Sequence, residues 1–151
     1  MLDTEHILKD AGAVTSSGYG TVDSEAQVID LGEGLVRGNV VIDVSQMSMN
    51  SNDELYQICL MGGDDASFTK TVALAMLELG PRETLEDNFD SKIARVVLPF
   101  QSEKNGVVYP YVRIRHVISG TGPSINYTAR IEKDLPVRGL ISQTVTTTTT
   151  V

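Results

Sequence analysis

The residue types that perform nucleophilic or acid–base catalysis are scarce in this chain. It contains two histidines, His6 and His116, and one cysteine, Cys59. His116 falls on the apolar side of a predicted strand and Cys59 lies in the apolar run Tyr56–Met61, so we interpret both as structural residues. No G-x-S-x-G nucleophile elbow occurs, and no serine has a histidine close by in the sequence. We therefore predict no catalytic residues and no enzymatic activity.

Carboxylates are plentiful, but they fall in predicted loops. One pair, Asp64-Asp65, follows two glycines, and a second group occupies residues 82–90. Either group could bind a hard cation, and a metal-assisted hydrolase built on them is the enzyme alternative. Neither group has the alternating oxygen ligands and distal glutamate of an EF-hand, so we interpret both as solvated loops. The glycine pairs at 18–20 and 32–34 lack the Lys-Ser/Thr of a phosphate-binding loop. We predict no metal site and no cofactor.

Three arginines form the one basic stripe in an otherwise acidic chain. Arg113 and Arg115 lie on the polar side of one predicted strand, and Arg130 lies on the polar side of the next. If these strands are neighbours in a sheet, the three guanidinium groups lie together. Such a stripe is either a solvated sheet face with ordinary salt bridges or a surface that meets carboxylates of another protein by bidentate pairing. We take all three arginines as candidate partner-binding residues.

Length and composition limit the kinds of protein that can position these residues. A chain of 151 residues is enough for one domain with a hydrophobic core that needs no disulfide or metal. Twelve basic and twenty acidic residues give a net charge of −8, which argues against binding to nucleic acid or to an anionic membrane. The apolar runs are too short for a membrane-spanning helix. The acidic N-terminus is unlike a secretory signal.

Short apolar segments separated by turn residues predict an all-β domain. In residues 111–118 the apolar side chains occupy alternate positions, and the same alternation runs through residues 125–131. A period of two is typical of strands with one buried face and one solvated face. Asn105-Gly106, between the segments 93–100 and 107–118, is a hairpin signal. The pattern favours a β-sandwich or a β-barrel.

Three parts of the chain leave alternatives open. Residues 72–79 have the composition of a buried helix, but their larger apolar side chains also alternate with alanines, so helix and strand are equally favoured. Residues 2–10 form either a short helix or an extended arm. The C-terminal tail contains five consecutive threonines, Thr146–Thr150. Threonine favours β structure, but such a tail cannot fold alone, so it either frays or adds to another sheet or groove.

Five segments of the chain share their order and spacing with one known family. They are Asp10–Thr15, Gln27–Gly32, Gly62–Phe68, Leu77–Gly80 and Tyr111–Ser124. Together they resemble motifs of the capsid cement (decoration) proteins of tailed bacteriophages, of the type found in a Bordetella podophage. Each motif alone is weak, and their common order over most of the chain carries the resemblance.

The resemblance implies a β-sandwich of jelly-roll type, and it makes residues 72–79 a strand. The threonine tail and the acidic stretch 82–90 have no counterpart in the family. From the small-residue N-terminal segment and the threonine-rich end, we divide the chain into an extended N-terminal arm at 1–25, a sandwich domain at 26–139 and a Thr-rich C-terminal tail at 140–151. The resemblance also implies binding to the outer surface of the phage head, where the protein clamps neighbouring major capsid subunits after synthesis in the host cytoplasm. A dimer or trimer of the chain is expected, and the family has no catalytic residues to transfer.

The arms provide a second set of candidate contacts. Extended segments can add a strand to a neighbour's open sheet edge. We therefore expect residues 1–25 and 140–151 to lie against the capsid shell or a sister subunit, with Thr146, Thr147 and Thr148 among the contacts. The alternative function is a jelly-roll binding module, for example for carbohydrate, displayed on a virion. Such modules present aromatic platforms, whereas this chain has no tryptophan and only 5% aromatic residues.

Overall fold

The computed structural model describes residues 6–48, 51, 53–80 and 94–133. These residues form strands joined by turns and loops, and none of them forms an α-helix. In chain order the strands are β1 (Ile7–Lys9), β2 (Ala13–Val14), β3 (Gly18–Tyr19), β4 (Thr21–Val22), β5 (Glu25–Ala26), β6 (Ile29–Asp30), β7 (Arg37–Met47), β8 (Leu55–Gly63), β9 (Thr71–Leu79), β10 (Ala94–Gln101), β11 (Glu103–Lys104), β12 (Val107–Val108), β13 (Tyr111–Ser119) and β14 (Ile125–Lys133). The predicted all-β class is confirmed.

Two antiparallel sheets make up the sandwich. In sheet A the strand order is β1-β14-β7-β10, and β2 also pairs with β14. In sheet B the strand order is β3-β13-β8-β9, and β6 also pairs with β13. The two-stranded pairs β4–β5 and β11–β12 stand beside these sheets. Along the chain, the long strands alternate between the two sheets, and only β8 and β9 follow each other in the same sheet. This architecture is the jelly-roll-like β-sandwich that was predicted.

The hydrophobic core lies between the two sheets. Alternate positions of the four central strands are buried there, as the period of two predicts. The members with no more than 3% exposure are Val40, Ile42, Val44, Tyr56, Ile58, Leu60, Val112, Ile114, Ile125, Tyr127, Ala129 and Ile131. Burial of one large apolar side chain contributes about 1.5–3 kcal/mol. The even positions of 112–116 and the odd positions of 125–131 therefore face the core, and their neighbours face outward.

Residues 71–79 form an edge strand rather than a helix. β9 pairs with β8 over the whole of its length, with one irregularity in register between Leu60 and Met61. Leu77 and Leu79 pack on the core, whereas the alternate residues Met76 and Glu78 are exposed. Pairing with β8 overrides the helix propensity of Ala, Leu, Met and Glu in this segment. Strand was the option that the family resemblance implied.

Residues 6–26 belong to the sandwich, which corrects the predicted boundary between an N-terminal arm and the domain. The segment is extended, but β1 pairs with β14, and Leu8 is fully buried in the core. A segment that fills the core is not available as a free arm, because withdrawing it would expose apolar surface to water. The rest of the predicted arm, residues 1–5, and the Thr-rich tail at 140–151 lie outside the described residues.

The Asn105-Gly106 turn is confirmed, but it joins strands shorter than predicted. Both residues have positive φ, 54° and 81°, as a two-residue hairpin turn requires. The turn connects β11 to β12, whereas the long strands before and after it, β10 and β13, lie in different sheets. The short β11–β12 hairpin therefore lies in the connection between β10 of sheet A and β13 of sheet B. Sequence spacing alone could not show that β10 and β13 do not pair with each other.

Candidate functional site

The outer surface of sheet B carries a cluster of aromatic, methionine and arginine side chains. The register pairs Arg113 with Met61, and it pairs Arg115 with both Cys59 and Tyr19. Cys59 in turn pairs with Met76 of the edge strand. Side chains of paired residues lie on the same side of a sheet, and the neighbours of these residues face the core. We call this surface the arginine face. Its members are Tyr19, Met61, Met76, Arg113 and Arg115, together with Phe68, whose position is described next.

A tight turn between β8 and β9 brings Phe68 onto this face. The Asp65 carboxylate accepts hydrogen bonds from the backbone N–H of Ser67 at 3.0 Å and from that of Thr69 at 3.2 Å, and from the Thr69 hydroxyl at 2.9 Å. The backbone N–H of Phe68 donates to the Asp65 carbonyl oxygen at 2.9 Å. Phe68 has φ of 55°, a left-handed conformation that is rare for a bulky residue. The hydrogen bonds of Asp65 hold this conformation in place.

Phe68 lies across Gly63, the last residue of β8. A Cβ atom at position 63 would lie 2.7 Å from Cγ of the Phe68 ring, which is closer than van der Waals contact allows. Phe68 is 5% exposed, although it stands on the outer side of the sheet. Glycine at position 63 is therefore required for the ring to lie flat over the strands.

Arg113 is held between two aromatic rings. Its guanidinium carbon lies 3.8 Å from the centroid of the Tyr19 ring and 4.1 Å from that of the Phe68 ring. Each such contact contributes about 0.5–2 kcal/mol, depending on how far the cation is removed from water. The Nε atom of Arg113 is buried and has no hydrogen-bond partner among the described residues. An unpaired buried N–H of this kind is costly and is uncommon in folded proteins.

Arg115 lies one register position further along the same face. No described carboxylate forms an ion pair with Arg113 or Arg115, since the ion pairs of the described residues join Asp43, Arg95, Arg130 and Glu132. Burial raises the pKa of the neighbouring Cys59 thiol, and the charge of Arg115 acts in the opposite direction. The thiol is therefore largely protonated at neutral pH, in agreement with its interpretation as an inert residue.

Arg130 is not part of this cluster, which corrects the prediction of a single stripe of three arginines. β13 and β14 follow each other in sequence but lie in different sheets, so their polar sides face opposite sides of the sandwich. Arg130 contacts the carboxylates of Asp43 at 3.0 Å and Glu132 at 3.1 Å. Arg95 also contacts Asp43 at 2.6 Å, and this bond, followed by that to Arg130, lowers the pKa of Asp43. Arg130 thus has the ordinary salt bridges of a solvated sheet face.

Three buried ionisable residues, Lys9, His116 and Tyr127, form one structural group in the core. His116 is 3% exposed, and its Nδ1 lies 2.7 Å from the hydroxyl oxygen of Tyr127. Burial, assisted by the charge of Lys9, lowers the pKa of His116 to about 4. Burial also raises the pKa of the Tyr127 phenol. Both groups are therefore neutral at pH 7, which supports the structural interpretation of His116.

Lys9 is the third member of this group and lies on β1, the edge strand of sheet A. Its ammonium nitrogen donates to the backbone carbonyl oxygens of Asp10, Gly12 and Tyr127 at 2.9, 3.0 and 2.8 Å. It also lies 4.5 Å from the centroid of the Tyr127 ring. Burial lowers the pKa of Lys9, and the Asp10 carboxylate partly offsets this effect. Since its three N–H bonds are all used, Lys9 fixes the N-terminal strands rather than offering a site to a ligand.

The predicted loop carboxylates have structural partners where the structure describes them. Asp64 accepts a hydrogen bond from the backbone N–H of Lys70 at 2.9 Å, and Asp65 builds the turn that carries Phe68. Within the described ranges, no three His, Cys, Asp or Glu side chains are grouped as metal ligands. The same ranges contain no helix long and apolar enough to cross a membrane. The acidic stretch 82–90 and the candidates Thr146, Thr147 and Thr148 lie outside the described residues.

Sequence reasoning found Arg113 and Arg115 but missed the residues that surround them. Gly62-Gly63 followed by an Asp-rich turn is a signal for a tight connection, yet nothing in the sequence places Phe68 over Gly63. Tyr19 comes from a distant two-residue strand, and its position depends on the pairing of β3 with β13. Comparisons with known proteins add no further residue, because no family model matches the chain and no curated protein is significantly similar to it.

Proposed function

We propose that this protein is a capsid cement (decoration) protein, which binds the outer surface of a phage head and clamps neighbouring major capsid subunits. The observation that carries the proposal is the arginine face. Tyr19 and Met76 are 44% and 55% exposed on it, beside two arginines with no ion-pair partner among the described residues. Aromatic, methionine and arginine side chains are the types enriched at the centres of protein–protein interfaces. A surface of this composition supports a function in which the protein binds other protein subunits.

The interior of the sandwich supports a structural role. Lys9 bonds to the backbone and lies over the Tyr127 ring, and Tyr127 bonds to His116, so these three side chains hold the two sheets together. The chain resembles cement proteins in the order of five sequence segments, and this resemblance supports the major capsid protein as the partner. The net charge of −8 supports solubility before assembly and disfavours contact with packaged DNA.

No observation favours the carbohydrate-binding alternative strongly enough to carry a second proposal. Sugar platforms need exposed aromatic faces. Tyr56 and Tyr127 are fully buried and Phe100 is 6% exposed, while both Phe68 and Tyr19 stack on the guanidinium of Arg113. Tyr109 and Tyr111 are half-buried, so Tyr19 is the one exposed aromatic side chain among the described residues.

The proposal is tested by adding the purified full-length protein to heads of the encoding phage that lack it. We expect saturable binding at a fixed ratio to the major capsid protein and a rise in the temperature at which the heads disrupt. Both are measured on heads separated from unbound protein by sedimentation. Empty heads that stay undecorated at saturating protein, with an unchanged disruption temperature, contradict the proposal. Bovine serum albumin, another acidic soluble protein, is the control for non-specific adsorption.

A further inference from the structure

Two groups of charged side chains of opposite sign have no ion-pair or hydrogen-bond partner among the residues that the structure describes. Arg113 and Arg115 of the arginine face have no hydrogen-bond or ion-pair partner among the described residues. Among the described carboxylates, those with no such partner are Asp23, Glu25 and Glu33. Two of these three lie on the hairpin formed by β4 and β5, residues 21–26, which we call the acidic hairpin.

The acidic hairpin is a well-defined protrusion. Asp23 and Ser24 have φ of 53° and 68°, the left-handed pair that a tight two-residue turn requires. Both residues and Glu25 are exposed. The backbone N–H of Asp23 donates to the Asp10 carboxylate at 2.8 Å, so a third carboxylate lies beside the tip. The hairpin therefore presents negative charge on a short and rigid support.

The acidic hairpin and the arginine face form no ion pair within one copy. The ion pairs of the described residues leave out Asp23, Glu25, Arg113 and Arg115. The hairpin is held at both sides of its base: the backbone N–H of Asp10, next to β1, donates to the Thr21 carbonyl oxygen at 3.1 Å, and the backbone N–H of Gly20 donates to the Ile114 carbonyl oxygen of β13 at 2.9 Å. The carboxylates at its tip therefore remain open to the arginines of a different copy.

We propose that the arginine face is a docking surface for the acidic hairpin of a second copy of this chain. The guanidinium of Arg113 is clamped by Tyr19 and Phe68, so its terminal N–H groups are oriented before binding and little side-chain freedom is lost when a carboxylate of Asp23 or Glu25 accepts them. Arg115 receives the other carboxylate. Tyr19 and Met76 supply the apolar area around the ion pairs. The contact joins two copies of the chain and does not depend on the proposed function.

The test is the oligomeric state of the full-length protein, measured by sedimentation equilibrium and mass photometry. We expect the wild type to self-associate. Reversal of the face, Arg113→Glu with Arg115→Glu, and reversal of the hairpin, Asp23→Lys with Glu25→Lys, should each weaken self-association roughly tenfold or more. Because the two variants carry complementary charges at both contacts, an equimolar mixture should associate again. The control Arg37→Glu with Lys70→Glu changes the net charge by the same amount as the face reversal and should associate like the wild type.

Several outcomes overturn the proposal. A monomeric wild type does so, as does a face-reversed variant that associates like the wild type, or a mixture that stays monomeric when both variants are folded. If Arg113→Glu fails to fold by circular dichroism, Arg115→Glu with Met76→Glu replaces it, because both side chains lie at the surface. Binding to heads is measured separately. A chain that self-associates by this contact but does not bind heads contradicts the proposed function alone, and a monomeric chain that binds heads contradicts this contact alone.

Discussion

The guanidinium carbon of Arg113 lies 4.1 Å from the centroid of the Phe68 ring, and the ring reaches this position by lying across Gly63. An arginine on the solvated side of a sheet normally extends into water. Here the second ring, that of Tyr19, covers the other side of the guanidinium. The orientation of the arginine face therefore depends on a turn and a two-residue strand that are far apart in sequence.

Replacement of Gly63 by alanine should displace Phe68 and loosen Arg113. The added Cβ overlaps the ring, and relief of such overpacking typically costs about 1–3 kcal/mol. Urea unfolding followed by circular dichroism measures the loss in the free energy of unfolding. Gly34→Ala is the matched control, because a Cβ at that position meets nothing within 4 Å. Equal stability of Gly63→Ala and wild type would show that Phe68 does not occupy this position.

Lys9→Met should destabilise the protein by about 2–3 kcal/mol. The methionine fills similar space, but the carbonyl oxygens of Asp10, Gly12 and Tyr127 lose their shared donor. The bond to the Tyr127 carbonyl oxygen is buried, and an unpaired buried acceptor is costly. Lys70→Met is the control, since Lys70 is exposed. The measurement is again the free energy of unfolding in urea. If the two variants are equally stable, residues 6–26 are not anchored in the sandwich as described.

Stability should fall as the pH is lowered from about 6.5 towards 4. His116 has its pKa lowered to about 4 by burial and by the charge of Lys9, whereas the unfolded chain binds the proton near pH 6.5. The unfolded state therefore holds more protons in this interval, and the free energy of unfolding rises with pH by up to roughly 3 kcal/mol across it. His116→Gln should flatten this dependence, because the variant retains a polar group near Tyr127 but does not titrate. A slope unchanged in the variant would assign the effect to other groups.

Arg130 should behave differently from Arg113 and Arg115. It is 17% exposed and bonded to Asp43 and Glu132, so Arg130→Gln should lower the free energy of unfolding by about 1 kcal/mol. The Arg130→Gln variant should self-associate as strongly as the wild type when both are measured by sedimentation equilibrium. A loss of association as large as that of the face reversal, Arg113→Glu with Arg115→Glu, would contradict the assignment of the contact to sheet B.

The parts of the fold that follow from local pattern could be predicted from sequence. The alternation in β13 and β14 identified their buried faces, because the period of two is a property of the strand itself. Residues 71–79 could not be assigned on physical grounds, since their helix-favouring composition is overridden by pairing with β8. Arg113 and Arg115 were found as the basic pair on one strand. Their separation from Arg130 could not be found, because it depends on which sheet each strand joins.

Under the proposed function, this protein holds neighbouring capsid subunits together from outside the shell. A cryo-EM map of heads decorated with the purified protein would show these contacts. We expect ordered β-sandwich density on the outer surface, with each copy contacting at least two major capsid subunits, and loss of this density when the protein is omitted. Undecorated heads, or density that contacts a single capsid subunit, would contradict the proposed function.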